Sequence, residues 1–148
     1  MKKLIFSVIF MAFIGLLSGC KTSKKGVSSD NLPLVGTQWN LISIEGIELS
    51  NDFALRPFLT FDSSGNIKGN LGCNSLFGTY SVNKKQKMTL NFQGATKRLC
   101  QQMGVERLFI KALKRDINRY QIQGNDLFLF EEEFEIMHFS GVDLGKVE

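Results

Sequence analysis

The sequence predicts a mainly β domain of the α+β type: a small antiparallel sheet of roughly six to eight short strands, curled into a barrel-like shape, with one α-helix packed on it. Three observations carry this expectation. Short apolar-polar alternations recur from residue 33 onward, each bounded by Gly, Asn or Asp. They follow one another as consecutive hairpins, without the strand-helix alternation that builds a parallel sheet. One stretch alone, from about Gly104 to Arg115, changes to a spacing of three and four.

Ahead of the first strand stands an address. Lys2 and Lys3 precede the apolar run Leu4 to Leu17, which is short for a bilayer span and of the right length for a signal peptide. Small residues follow, and Leu17-Ser18-Gly19-Cys20 resembles the lipobox of bacterial lipoproteins. That resemblance implies removal of residues 1–19 and acylation of Cys20 with palmitate-type chains. Several chains at about 0.8 kcal/mol per buried CH₂ anchor stably, where one chain binds only marginally. Residues 20–32 then read as the lipidated cysteine and a flexible polar tether, and 33–148 as the folded domain. Lys21, rather than Asp, after the cysteine favours the outer membrane, facing the periplasm, in a double-membraned cell.

Charge follows the same division. The chain has 18 basic and 14 acidic residues, a formal net of +4, yet from Asn31 onward 13 basic residues face 13 acidic ones. A neutral exported domain lacks the electrostatic footprint of a nucleic-acid binder, so no nucleic-acid partner is expected. The partners expected are the membrane, through the lipid, and another envelope protein; the domain is expected to be a monomer.

Val35, Thr37, Trp39 and Leu41 lie at period two and predict a first strand with Trp39 facing inward, turned at Glu45-Gly46 toward Ile47 to Leu49. Phe58 to Phe61 and Asn66 to Asn70 flank Asp62-Ser63-Ser64-Gly65, where Asp and Ser bond to local backbone and Gly supplies positive φ. Phe77 to Val82 and Lys87 to Phe92 flank the polar turn Asn83 to Gln86. Val105, Leu108, Phe109, Ala112 and Leu113 make an apolar helical stripe, and Arg107, Lys111, Lys114 and Arg115 fall on its other side as a solvated face. Arg119 to Gln123, Leu127 to Glu131 and Phe134 to Ser140 complete the strands, with Phe134, Ile136 and His138 expected on one face. Glu131, Glu132, Glu133 and Glu135 read as solvated, or as protection of an edge strand. Ten of the thirteen phenylalanines lie beyond the signal and are expected mostly in the core. A body of this size buries roughly two-thirds of its unfolded surface, enough for one core.

The densest unusual stretch runs from Gly69 to Tyr80. Within it Gly72-Cys73-Asn74 suggests a tight backbone excursion, because Gly and Asn tolerate positive φ and the Asn side chain can satisfy stray backbone groups. A phosphate loop is excluded, since no Gly-Lys-Ser/Thr leads into a helix. Trp39-Asn40-Leu41, Gly46, Leu59-Thr60-Phe61, Gly72-Cys73-Asn74, Gly78-Thr79-Tyr80, Thr96 with Cys100, Glu106, Leu113, Tyr120 and Leu127-Phe128-Leu129 together resemble the META domain, as in HslJ-like heat-shock lipoproteins. The resemblance covers nearly all of Leu34 to Phe139. It implies a small, mainly β fold with a helix, links to envelope stress and, in some members, motility or drug tolerance, and no catalytic activity.

With Cys20 acylated, Cys73 and Cys100 are the remaining thiols, in a compartment where disulfides persist. A bridge between them is expected, the alternative being two buried apolar thiols. A metal pair is disfavoured because His138 is the sole histidine and no Cys-x-x-Cys occurs. Neither metal nor cofactor is expected. There is no Ser/His/Asp motif and His138 sits in an alternating strand, so the chain is read as no enzyme. The expected function is that of a non-catalytic envelope lipoprotein working by interaction; the alternative is a barrel holding one small hydrophobic ligand.

Overall fold

The computed structural model describes residues 31–50, 52, 55–100 and 103–146. The expected signal peptide, Cys20 and the tether as far as residue 30 lie outside the described residues. Asn31 and Leu32, placed at the end of that tether, belong to the folded body: Leu32 N donates to Gly124 O at 2.9 Å, Gly124 N donates to Asn31 Oδ1 at 2.7 Å, and Leu32 packs on the core.

Nine strands and one α-helix follow in order: β1 (Thr37–Ile44), β2 (Ile47–Glu48), β3 (Phe58–Phe61), β4 (Asn66–Asn70), β5 (Ser75–Val82), β6 (Met88–Ala95), α1 (Met103–Leu113), β7 (Arg119–Gln123), β8 (Asp126–Glu131) and β9 (Phe134–Asp143). Eight strands form one path, β6-β5-β4-β3-β1-β9-β8-β7, with the two-residue β2 beside β1. Every strand pairing in it is antiparallel. The path curls so that its two end strands approach: Lys87 bridges Arg119, and Met88 N donates to Asn118 O at 3.0 Å. The result is a half-barrel with α1 as the one α-helix among the described residues, matching the fold class read from sequence.

The core is built where alternation directs side chains inward. Trp39 and Leu41 on β1, Leu59 on β3, Ile67 on β4, Leu127 and Leu129 on β8, and Phe139 on β9 are fully buried. Helix α1 shares this core through Phe109, whose ring lies 6.1 Å from that of Phe139. Trp39 Nε1 donates to Leu34 O at 3.0 Å, so the buried indole keeps its one polar atom satisfied. On β5, Gly78 is a packing requirement: a Cβ there would stand 2.3 Å from Asn91 O.

Four expectations need correction. Val35 is not in β1; Gly36 takes φ +85°, and Val35 instead makes an isolated parallel bridge with Phe61. Phe134, Ile136 and His138 do not share a face. The β8–β9 register shifts between Leu129 and Phe130, and the extra residue puts Ile136 and Met137 both inside while Phe134 is 71% exposed. On α1 the buried stripe is Glu106, Phe109, Ala112 and Leu113, with Leu108 51% exposed. Of the phenylalanines only Phe61, Phe109 and Phe139 are buried among the described residues, and Phe77 is exposed.

Candidate functional site

The β4–β5 connection carries the Gly-Cys-Asn excursion. Asn70, nearly buried, accepts the Gly72 amide at its Oδ1 (2.7 Å), and Gly72 takes φ +104°, a conformation that favours glycine. Leu71 N donates to Asn74 O at 2.8 Å, closing the turn. Asn74 itself is not in the left-handed region; the fold uses its side chain instead.

That side chain is the centre of a knot joining three distant segments. Asn74 Nδ2 donates to Glu106 Oε1 and Oε2 at 2.9 and 3.0 Å and to Arg98 O at 3.1 Å. Asn74 Oδ1 accepts from Thr96 Oγ1 at 2.9 Å and from Arg98 N at 2.7 Å. Asn74 N donates to Glu106 Oε2 at 3.2 Å. Thr96 Oγ1 in turn accepts from Ser75 N at 3.1 Å, and the Arg98 guanidinium donates to Cys73 O at 2.7 Å. Asn74 and Glu106 are 1% and 5% exposed, so the bonds between these two side chains form away from water, where leaving one unmade is costly, while the Ser75–Thr96 and Arg98–Cys73 bonds lie at the exposed edge of the knot. Cys73 and Cys100 are joined as a disulfide with Cα atoms 6.4 Å apart, tying the excursion to the segment that leads into α1.

The family-motif residues thus divide. Gly72, Cys73, Asn74, Thr96, Cys100 and Glu106 meet in the knot. Trp39 belongs to the core, and Gly78 and Tyr80 to β5, where Tyr80 Oη donates to Asp62 O at 2.7 Å and its ring meets Phe61 edge-on at 4.9 Å. Burial raises the Tyr80 pKa above its ordinary value, with the Asp62 charge adding to it. Sequence reasoning gave no part to Asn70, which caps the excursion, and placed Arg115 on a solvated face, whereas it pairs with Glu131 and with Glu45. Asparagine two residues before glycine is a signal for the first. The second joins residues 70 apart and leaves no local pattern.

His138 stacks on Phe128 at 4.5 Å, and its Nε2 lies 3.0 Å from Asp126 Oδ1, far from the knot in the fold's strand order. Among the described residues no three His, Cys, Asp or Glu side chains gather as a metal site. Beside the knot, between β6 and α1, opens a groove of about 410 Å³.

An antiparallel half-barrel whose helix α1 is fastened by an amide-carboxylate knot and a disulfide defines a small β scaffold. The META domain family matches residues 32–143, and the chain belongs to that family. Two of the solved structures that share the fold illustrate the likeness. A DUF4847-family protein from Bacteroides vulgatus is 18% identical with a TM-score of 0.57, the match covering 72% of this chain and 93% of that one. A protein from Burkholderia xenovorans, solved by NMR, is 24% identical with a TM-score of 0.57, over 74% of this chain and 83% of that one. Those two chains consist mostly of this one fold, which occurs there as a domain by itself. The comparison with curated proteins returns no match.

Proposed function

We propose that the chain is a non-catalytic lipoprotein of the bacterial envelope, anchored through Cys20 at the outer membrane facing the periplasm. Its META domain acts by contact with another envelope component under stress. The observation that carries this reading is the state of the most chemistry-like cluster in the domain. Asn74 takes up both oxygens of the buried Glu106, and the Cys73–Cys100 bond occupies both sulfurs. Groups that bind one another serve the scaffold. The bridge also suits an oxidising compartment, as the address at Cys20 requires.

The test has two arms on the full chain in a double-membraned bacterium. A clickable palmitate analogue should label the protein and fail to label Cys20→Ser. Crosslinking of intact cells followed by purification from solubilised outer membrane should then recover the same envelope protein repeatedly. Unlabelled protein overturns the lipoprotein reading, and repeated recovery of no partner overturns the contact reading.

A second reading, binding of one small hydrophobic ligand, is favoured by the groove beside α1 rather than by the barrel interior, where Trp39, Phe139 and their neighbours occupy the centre.

A further inference from the structure

The two end strands of the sheet meet only near Lys87 and Met88, and farther along β6 the neighbour is α1. The groove opens between them. Phe92 and Ala95 on β6 and Met103 and Ile110 on α1 give it apolar walls, and the chain from Thr96 to Leu99 forms one end. Its volume of about 410 Å³ lies in the range of small-molecule sites. Leu99, at this end, is 99% exposed, so a large apolar side chain stands uncovered beside apolar walls.

The charge around the groove has one sign. Lys97, Arg98 and Lys114 line it, and the one acid among its lining residues, Glu106, has both oxygens bonded by Asn74. Lys114 Nζ stands 5.9 Å from the centre of the Phe92 ring, which places a cation directly over the apolar wall. Apolar walls beneath a cationic rim complement a molecule with one apolar chain and one acidic head.

We infer that this groove binds a single-chain carboxylate of the fatty-acid type, its chain along Phe92, Ala95 and Ile110 and its head between Lys97 and Lys114. The head is assigned as a carboxylate, a single negative charge: one nitrogen of the Arg98 guanidinium is turned to the Cys73 carbonyl at 2.7 Å, and the compact ammonium groups of Lys97 and Lys114 are the other cations lining the groove. Lysine also binds phosphate, so the phosphate head is the competitor that the test must reject. This inference rests on the small-ligand reading above and is independent of the lipid anchor and of any protein partner.

The test uses the oxidised domain, residues 31–148, labelled for NMR and titrated with decanoate, decyl phosphate and decyl maltoside below their micelle concentrations. Decanoate should shift the amides of Phe92 to Leu99 and of α1, with the maltoside about ten-fold weaker. The double variant Lys97→Glu/Lys114→Glu, both at exposed positions, should lose about ten-fold in decanoate affinity while its spectrum keeps the folded pattern. Leu99→Asp should weaken decanoate independently of those lysines. Equal affinity for the maltoside overturns the acidic head but leaves small-ligand binding standing. Decyl phosphate binding more tightly than decanoate overturns the carboxylate assignment. No shift with any of the three, shifts confined to another part of the domain, or binding of an acidic peptide in place of decanoate overturns both the site and the small-ligand reading on which it rests.

Discussion

The interior around β1 and β9 and the knot around Asn74 hold the domain by different means. The interior is hydrocarbon: Trp39, Leu41, Leu59, Leu127, Leu129 and Phe139 pack from different strands, and each is supported by several others. The knot is directional. Asn74 ties the β4–β5 turn to the chain before α1 and to Glu106 on α1, with the Ser75–Thr96 and Arg98–Cys73 hydrogen bonds and the Cys73–Cys100 bond as further fastenings. Non-directional packing makes a sheet that resists local change. A few directed bonds in a dry site make a junction that is either complete or lost. The groove borders the knot at Asn74, Arg98 and Glu106, while its apolar walls Phe92, Ala95 and Ile110 pack against the core, so the candidate binding surface lies where the two regions meet.

The interior should give the largest effect. Trp39→Ala removes the largest fully buried side chain and should cost about 3–5 kcal/mol, read from guanidinium unfolding. Because Trp39 is the sole tryptophan, circular dichroism must follow the transition. A loss confined to the chain near Leu34, with β8 and β9 protected as before, would break the view of one shared core.

Next comes the disulfide. Its two cysteines are 27 residues apart, and opening a loop of that length releases about 3.5 kcal/mol in the chain-entropy model. Cys73→Ser/Cys100→Ser should therefore lower the unfolding free energy by an amount of that order. Hydrogen exchange sharpens the comparison: amides from Thr96 to Cys100 and in the first turn of α1 should exchange faster, while those of β1 and β9 change only by the global loss.

The directed bonds follow. Asn74→Ala leaves the Glu106 carboxylate buried without its amide partner and should cost about 2–3 kcal/mol. Asn74→Ala/Glu106→Leu removes the stranded group as well and should recover about 1 kcal/mol relative to the single variant. A double variant as unstable as the sum of the two single variants would mean that the two side chains act separately, and the knot would cease to be one unit.

How far these two halves were legible differs for the same physical reason. The strands announced themselves, because alternation is local: Leu59 and Phe61, or Leu127 and Leu129, declare an inner face within a few residues. A bulge defeats such reading. One extra residue near Ile136 changes the phase of β9 without changing its composition, and so Phe134 is outside and Met137 inside. On α1 the stripe was displaced because periodicity assigns faces by hydrophobicity, whereas Glu106 faces inward for Asn74, a partner 32 residues away. The Gly72 excursion could be read from its residue types. That Asn74 would bond Glu106, Thr96 and Arg98 together depended on how the turn and helix meet in space, which no spacing encodes.

The smallest expected effect is electrostatic and falls outside the knot. Asp62 closes the β3–β4 hairpin, its Oδ1 accepting from Ser64 N and Asn66 N, both at 2.9 Å, and hydrogen bonds from the Asn66 backbone and then its side chain hold the carboxyl below its ordinary 3.8. Glu131 is held below its ordinary 4.5 first by the side-chain bond from Arg115 and then, against the effect of burial, by the amide of Asp116. Both carboxyls bind protons more weakly folded than unfolded. Their contribution is therefore complete above about pH 4.5 and is lost as pH falls through the depressed values. Asp62→Asn and Glu131→Gln should each flatten the fall of stability between about pH 5 and pH 2. Salt separates them: molar sodium chloride should diminish the Glu131 contribution, which depends on an ion pair at the surface, more than that of Asp62, which depends on short hydrogen bonds within its own turn.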